Sequence, residues 1–161
     1  MSEPLIFRGV AHPPAKSKRE HHSDLSVGEL AGIAKGNLGG LPLHVEHDTS
    51  VPAVGNVLSS YEGKNGELRV MAQVEDPTVA QEIRNGSLRG LSLGTDCVMD
   101  MDGATLSRSQ KELSVCEEGR RDGTWITHLD GQLVHQVACA SNRFGTLATR
   151  TCPAIDVDIV F

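Results

Sequence analysis

The stretch GLPLHVEHDTSVPAVGNV, residues 40–57, combines an apolar strand pattern with two histidines three positions apart. An extended segment from about Leu41 to His47 alternates its side chains between two faces, so His44 and His47 are predicted to point in opposite directions. This alternation places His47 on the face of Leu43. A histidine there is either a packed core residue or a general base held in place by packing and a hydrogen-bond acceptor. The opposed directions weigh against a metal site built on both histidines.

Composition and length favour one globular domain spanning residues 1–161. Apolar residues make up 39%, with one Trp, one Tyr and three Phe, so the core is predicted to consist of Val, Leu, Ile and Ala. The net charge of −6 does not provide the basic patch that a nucleic-acid partner requires. No apolar run approaches the roughly 18 residues of a membrane span, and residues 1–10 lack the features of a signal peptide. The four cysteines form no C-x-x-C pair, which predicts reduced thiols in an intracellular compartment and no zinc site.

Local patterns predict a strand-rich α+β fold. Strands are predicted over residues 5–11, 41–47, 53–61, 67–74, around Ser92, over 111–117 and over 155–161, and WITHL and QLVHQVACA, residues 125–129 and 132–140, are predicted as strands or a helix. Helices are predicted over residues 27–35, capped by Ser26, and over 77–85, which begins at Asp76 and Pro77. Residues 12–26 are predicted to form a mobile polar loop. The pattern lacks regular βαβ alternation, which favours a mostly antiparallel barrel or another α+β arrangement.

Ser92, in GLSLGT, residues 90–95, is a candidate nucleophile for a histidine base, and Cys97 is the alternative. Gly90 and Gly94 flank the serine and permit close approach of a substrate backbone. A serine in an apolar strand needs a partner for its hydroxyl, and either a neighbouring carbonyl or a histidine can supply it. The segment does not match the G-x-S-x-G elbow. Serine, histidine and an orienting carboxylate together would form a hydrolytic triad.

Three segments in this order, LPLHVEHD…VGNV, GLSLGT and CEEGRRDGT, resemble the herpesvirus capsid maturation protease family, the assemblins. That family carries an L-P-(apolar)-x-(apolar)-x-H-(D) strand followed by V-G-x-V, a G-(apolar)-S-L strand and a C-x-x-G-R-R-x-G-T loop. The chain is also similar to tailed-phage prohead proteases, which carry a strand of the form E-(apolar)-S-(apolar), here ELSVC at residues 112–116. The resemblance covers roughly residues 40–125. It implies a mostly antiparallel β-barrel core flanked by a few short helices.

The resemblance also implies roles for individual residues. The family base falls on His47, which precedes an aspartate, and the nucleophile falls on Ser92. Assemblins have a second histidine eight positions before the first loop arginine; that position is Glu112 here, which fits the phage pattern. A glutamate can accept the second ring N–H of the histidine and stabilise the imidazolium. Arg120 and Arg121 match the pair that stabilises the oxyanion, the first through its backbone N–H and the second through its side chain and a water.

His135 is the alternative third member of the triad, because it lies eight positions before Arg143. It follows Ser92 by 43 residues, whereas Glu112 follows Ser92 by 20. The shorter separation is closer to the assemblin pattern, so Glu112 is preferred.

The implied activity is that of a serine endopeptidase that cleaves a scaffold protein and its own chain inside an immature viral capsid. The reaction proceeds through an acyl-serine and needs no metal or cofactor. VACAS, residues 137–141, is similar to assemblin cleavage sites and predicts a scissile bond between Ala140 and Ser141. The implied partners are the scaffold, capsid proteins and a second copy of the chain. The implied location is the host nucleus for a herpesvirus-like protein and the cytoplasm for a phage-like one.

Two other functions are open at this point. A non-catalytic module for capsid assembly or scaffold binding would keep the same barrel without a converged triad. A metal-dependent protein would use His44 and His47 with His21 and His22. The alternation of the histidine strand and the polar setting of residues 21 and 22 count against the metal.

Overall fold

The computed structural model describes residues 3–15, 25–103, 105–119, 121 and 123–134, and these form an α+β fold that is mostly sheet. The described strands are β1 (Leu5–His12), β2 (Pro42–Val45), β3 (Gly55–Glu62), β4 (Leu68–Val74), β5 (Gly90–Met99), β6 (Thr105–Cys116), β7 (Ile126–Leu129) and β8 (Gln132–Leu133). The two described helices are α1 (Val27–Gly36) and α2 (Pro77–Arg84). Neither helix has the length and apolar content needed to cross a membrane.

Both helices begin where local sequence predicts. Ser26 Oγ accepts the N–H of Glu29 at 3.2 Å, and the Glu29 carboxylate accepts the N–H of Ser26 at 3.1 Å, which completes a capping box for α1. The Asp76 carboxylate accepts the N–H groups of Thr78 and Val79 at 2.8 and 3.1 Å, with Pro77 in the first turn of α2. These contacts satisfy backbone donors that the first turn of a helix leaves unpaired.

The strands form one sheet in the order β5-β6-β2-β3-β4-β1-β7-β8. Neighbours pair antiparallel except β2 and β6, which run parallel with Leu43 opposite Leu113 and Val45 opposite Val115. The side chains of Leu43, Leu113 and Val115 are fully buried in the core. The parallel pairing places the histidine strand directly beside the ELSVC strand, although the two are about 70 residues apart in sequence.

The predicted barrel is corrected to an open sheet. A barrel requires a continuous ladder between its first and last strands. Gly90 forms one isolated bridge with Trp125, but among the described residues no ladder joins β5 to β7 or β8. Beyond that bridge β5 pairs with β6 alone, in a long hairpin that continues to Met99.

Other predicted elements differ in length or lie outside the described residues. β2 ends at Val45, two residues before the predicted end. WITHL supplies β7, and only Gln132 and Leu133 of the following segment form a strand. Residues 16–24 of the predicted loop, residues 135–140 of the last mixed segment and the predicted strand 155–161 are outside the described residues.

Candidate active site

The histidine segment leaves the sheet before His47. Glu46 and His47 both adopt positive φ values, 51° and 59°, in a turn that follows β2. The strand alternation therefore stops at Val45, and the prediction that His47 continues the face of Leu43 is wrong. The turn is held by contacts with β6, since Glu46 N–H donates to the Val115 carbonyl at 3.0 Å and His47 N–H donates to Ser114 Oγ at 3.0 Å.

The predicted opposition of the two histidines is also wrong. His44 lies opposite Ser114 in the parallel pairing, and paired residues direct their side chains to the same face of a sheet. His47 reaches that face from the turn, because it contacts Ser114. His44 is buried, and its Nδ1 has no hydrogen-bond partner among the described residues. No group of three or more metal-ligating side chains occurs in the part of the chain that the structure describes, and His21 and His22 lie outside it.

His47 connects two side chains from different strands. Its Nε2 lies 2.8 Å from Ser92 Oγ, and its Nδ1 lies 2.5 Å from Glu112 Oε1. Because a carboxylate only accepts, Nδ1 carries the proton and the Nε2 lone pair faces the serine hydroxyl. The His47 side chain is 45% exposed, whereas Ser92 and Glu112 are 7% and 5% exposed. The ring therefore lies at the surface, above the Ser92 hydroxyl and the Glu112 carboxylate, which are fixed in the sheet.

The register of β5 and β6 places those two groups side by side. Ser92 pairs with Ser114, and Gly94 pairs with Glu112. Side chains alternate along each strand, so these residues share one face. Leu91, which precedes Ser92, and Leu113, which lies between Glu112 and Ser114, point into the core and are fully buried. The alternation of apolar residues in GLSLG and ELSV thus fixes which face carries the polar groups.

Ser114 holds His47 and Glu112 together. The Ser114 hydroxyl donates to Glu112 Oε2 at 2.6 Å, and Ser114 Oγ accepts the backbone N–H of His47 at 3.0 Å. It is fully buried. Ser114 belongs to the E-(apolar)-S-(apolar) pattern, but the pattern alone assigned it no role. The i, i+2 spacing of Glu112 and Ser114 on one strand face was the available signal.

Gly94 makes room for the carboxylate. A Cβ atom at this position would lie 2.0 Å from Glu112 Oε1 and 2.7 Å from Glu112 Cδ. Contacts this short do not occur in folded proteins, so any side chain at 94 must displace Glu112. The glycine therefore accommodates the carboxylate beside it, a reason different from the close approach of a substrate that its sequence context suggested.

The loop that follows β6 packs against the start of β5. A Cβ atom at Gly90 would lie 2.1 Å from the backbone nitrogen of Gly119, so the loop touches the strand two residues before Ser92. The Thr124 hydroxyl donates to the Arg121 carbonyl at 2.7 Å, and the Thr124 carbonyl accepts the N–H of Leu91 at 3.0 Å. These contacts fix the loop beside the serine. Arg121 is half-buried in this loop.

Two predicted candidates, Arg120 and His135, lie outside the described residues. Cys97, the alternative nucleophile, lies five positions along β5 from Ser92, or about 17 Å in an extended strand. Cys116 is buried beside Glu46, and burial, together with that negative charge, raises the pKa of its thiol to about 12. A thiol that stays protonated is a poor nucleophile. Of these candidate side chains, the Ser92 hydroxyl is therefore the one that the histidine contacts.

Comparison with known proteins gives matches in structure alone. No family model and no curated protein matches the sequence. A protease of Kaposi's sarcoma-associated herpesvirus, solved with a hexapeptide phosphonate inhibitor, matches with a TM-score of 0.60 at 18% identity, over 98% of this chain and 76% of the other. The chain has the herpesvirus protease fold. A second structure of that viral protease, in complex with a dimer disruptor, matches with a TM-score of 0.51 at 15% identity, over 95% and 90% of the two chains. These neighbours support the herpesvirus branch of the resemblance, and the phage branch rests on the ELSVC pattern.

Proposed function

We propose that the chain is a serine endopeptidase of capsid maturation that uses Ser92, His47 and Glu112 as nucleophile, base and orienting carboxylate. The observation that carries the proposal is the continuous hydrogen-bonded series from Ser92 Oγ through both ring nitrogens of His47 to Glu112. Contact among these side chains favours an enzyme over a non-catalytic assembly module, which has no need of them. The fold shared with a herpesvirus protease also favours an enzyme.

The geometry supports a two-step acyl transfer. As Ser92 Oγ attacks the substrate carbonyl, His47 Nε2 removes its proton, and Glu112 stabilises the imidazolium through the Nδ1–H bond. The imidazolium then gives the Nε2 proton to the leaving amine, which leaves an acyl-serine. In the second step His47 takes a proton from water, the hydroxide attacks the ester, and the proton returns to Ser92 as the acid product leaves.

The arginine loop supplies the proposed stabilisation of the oxyanion. By the resemblance, Arg120 offers its backbone N–H and Arg121 acts through its side chain and a water. The packing of Gly119 on Gly90 supports this role, since it keeps the loop next to the nucleophile strand. A donor aimed at the developing negative charge contributes about 3 kcal/mol to the transition state.

Labelling with a fluorophosphonate probe tests the activity. The probe should modify Ser92 of the wild-type protein and leave Ser92→Ala unmodified, and Ser92→Ala should abolish peptide cleavage while the fold is kept, because only one oxygen is removed. Ser59→Ala, which removes a hydroxyl from β3, is the matched control and should label and cleave as the wild type does. The assignment of Ser92 as the nucleophile would be refuted by a wild-type protein that the probe does not label, or by a Ser92→Ala protein that cleaves at the wild-type rate.

The substrates and partners belong to the same proposal. We infer a scaffold protein as substrate inside an immature capsid, in the host nucleus or cytoplasm according to the lineage of the virus, and a homodimer as the assembled form. The dimer disruptors bound to the viral neighbour support the homodimer. Neither a metal nor a cofactor enters the scheme.

Self-processing is proposed between Ala140 and Ser141, which lie outside the described residues. Active enzyme incubated at high concentration should release a fragment that begins Ser-Asn-Arg-Phe, and Ser92→Ala should not release it. Intact mass spectrometry decides the point. A full-length mass that persists while added scaffold is cut excludes this site and leaves the protease assignment standing.

A further inference from the structure

Glu46 lies between the base and the arginine loop and contacts the loop directly. Its carboxylate Oε1 accepts the backbone N–H of Glu117 at 2.8 Å. Its own N–H donates to the carbonyl of Val115 at 3.0 Å. One residue therefore ties the turn that carries His47 to the last residues of β6 through its backbone and to the start of the loop through its side chain. Neither the sequence motifs nor the catalytic scheme uses this residue.

The contact between Glu46 and Glu117 restrains the start of the arginine loop. On one side, Gly119 packs against Gly90 in β5, with no space for a Cβ atom between the two backbones. On the opposite side, the Glu46 carboxylate binds the loop at Glu117, four residues before Arg121. The start of the loop is thus held between the nucleophile strand and the turn that carries the base. Donors that stabilise an oxyanion are effective only when such contacts fix them in advance.

The backbone of Glu46 adopts an uncommon conformation at the point where its side chain reaches the loop. Its φ of 51° belongs to the left-handed region, which is unfavourable for residues other than glycine, asparagine and aspartate. The surrounding hydrogen bonds maintain this conformation, and it directs the exposed Glu46 side chain across to the loop. The bond with Glu117 requires an oxygen acceptor at this reach and does not require a negative charge.

We propose that Glu46 is a positioning residue that couples the turn carrying His47 to the start of the arginine loop, Glu117 to Gly119, so that the base and the loop that leads to Arg121 hold one relative placement. The inference rests on the proposed protease function. Glu46 touches no substrate in this scheme and acts through the loop alone. Its removal should slow the chemical step and leave substrate binding unchanged.

Three substitutions separate the reach of the acceptor from its charge. Glu46→Gln keeps an oxygen at the same distance, Glu46→Asp keeps the charge but withdraws it by about 1.5 Å, and Glu46→Ala removes both. Glu62→Ala, which deletes an exposed carboxylate at the end of β3, is the matched control. Circular dichroism of each variant checks the fold, and the exposed position of Glu46 makes retention of the fold the expectation.

Hydrogen exchange of the Glu117 amide, monitored by NMR, measures how well the bond from Glu117 N–H to Glu46 is maintained, independently of enzymatic activity. Exchange should become about tenfold faster in Glu46→Ala and Glu46→Asp, and should stay at the wild-type rate in Glu46→Gln and Glu62→Ala. In parallel, kcat for peptide hydrolysis should fall about tenfold in the Ala and Asp variants at unchanged KM, and Glu46→Gln should restore it.

The outcomes distinguish this inference from the proposed function. Unchanged Glu117 exchange in Glu46→Ala overturns the inference, and so does a Gln variant that behaves as the Ala variant in both measurements. A loss of kcat without faster exchange also overturns it, because the effect would not pass through the loop. A wild-type protein that the fluorophosphonate does not label overturns the protease assignment instead, and faster Glu117 exchange in Glu46→Ala would then still establish that Glu46 fixes the loop.

Discussion

Adding one methyl group at Gly94 should inactivate the enzyme by moving Glu112. A Cβ atom there would lie 2.0 Å from Glu112 Oε1, whereas ordinary contact begins near 3.4 Å. The carboxylate must therefore withdraw by about 1.4 Å, the difference between these two distances. Its bond with His47 Nδ1, now 2.5 Å, would lengthen to as much as about 3.9 Å and cease to be a hydrogen bond.

The expected loss follows from that displacement. A misplacement of about 1 Å costs roughly 10²-fold in rate, and loss of the orienting carboxylate of a triad costs roughly 10⁴-fold. Because Gly94→Ala moves the charge without deleting it, we expect kcat/KM to fall about 10³-fold, which corresponds to about 4 kcal/mol of transition-state stabilisation. The fold should be retained, since the three heavy atoms nearest to the added Cβ all belong to the Glu112 side chain.

Peptide hydrolysis and thermal unfolding measured on the same preparations test this mechanism. Gly32→Ala is the control, because a Cβ atom at this position in α1 has no heavy atom within 4 Å; activity should be unchanged and stability equal or higher. In the double variant Gly94→Ala/Glu112→Gln the losses should not multiply, since both changes act on one contact. A folded Gly94→Ala protein with wild-type kcat/KM, or a double variant whose losses multiply, would refute the reasoning.

Two further substitutions test the roles that remain proposals. Glu112→Gln keeps the shape but removes the charge that stabilises the imidazolium, so kcat should fall strongly, yet by less than in Ser92→Ala. If kcat is unchanged in Glu112→Gln and falls in His135→Ala, the role belongs to His135 instead. Arg121→Ala should lower kcat with little change in KM, because it serves the transition state, and steady-state kinetics that show a change in KM alone would make it a substrate-binding residue.

The elements that sequence patterns located are those whose determinants are local. Ser26 with Glu29 and Asp76 with Pro77 act within one helical turn, and both helices begin where these residues predict. The turn around Gly66, which adopts a φ of 86°, joins β3 to β4 as its glycine and asparagine content indicates. The openness of the sheet was not predictable in this way, because it depends on whether β5 forms a ladder with strands distant in sequence.

The errors at the site have the same cause. Strand alternation predicted that His44 and His47 point apart, but His47 has left the strand. Its turn is fixed by hydrogen bonds that its backbone N–H groups donate to Val115 and Ser114, almost 70 residues later. Alternation cannot detect contacts of that kind. Ser92 was a candidate from its setting between two glycines, and the resemblance selected Glu112. The structure places both within hydrogen-bond distance of His47, and their catalytic roles stay proposals.

The parallel pairing of β2 with β6 explains how a half-exposed histidine can still have a fixed position. His47 is nearly half exposed, so packing around its ring cannot fix it. Its position is set instead by β6, which supplies the acceptor for its ring through Glu112 and the acceptor for its backbone through Ser114. The same strand leads into the arginine loop at Glu117. Because β6 is also paired with β5, which carries Ser92, the buried end of β6, residues 112–116, positions Ser92, His47 and Glu112 relative to one another, and the ring can stay open to a peptide.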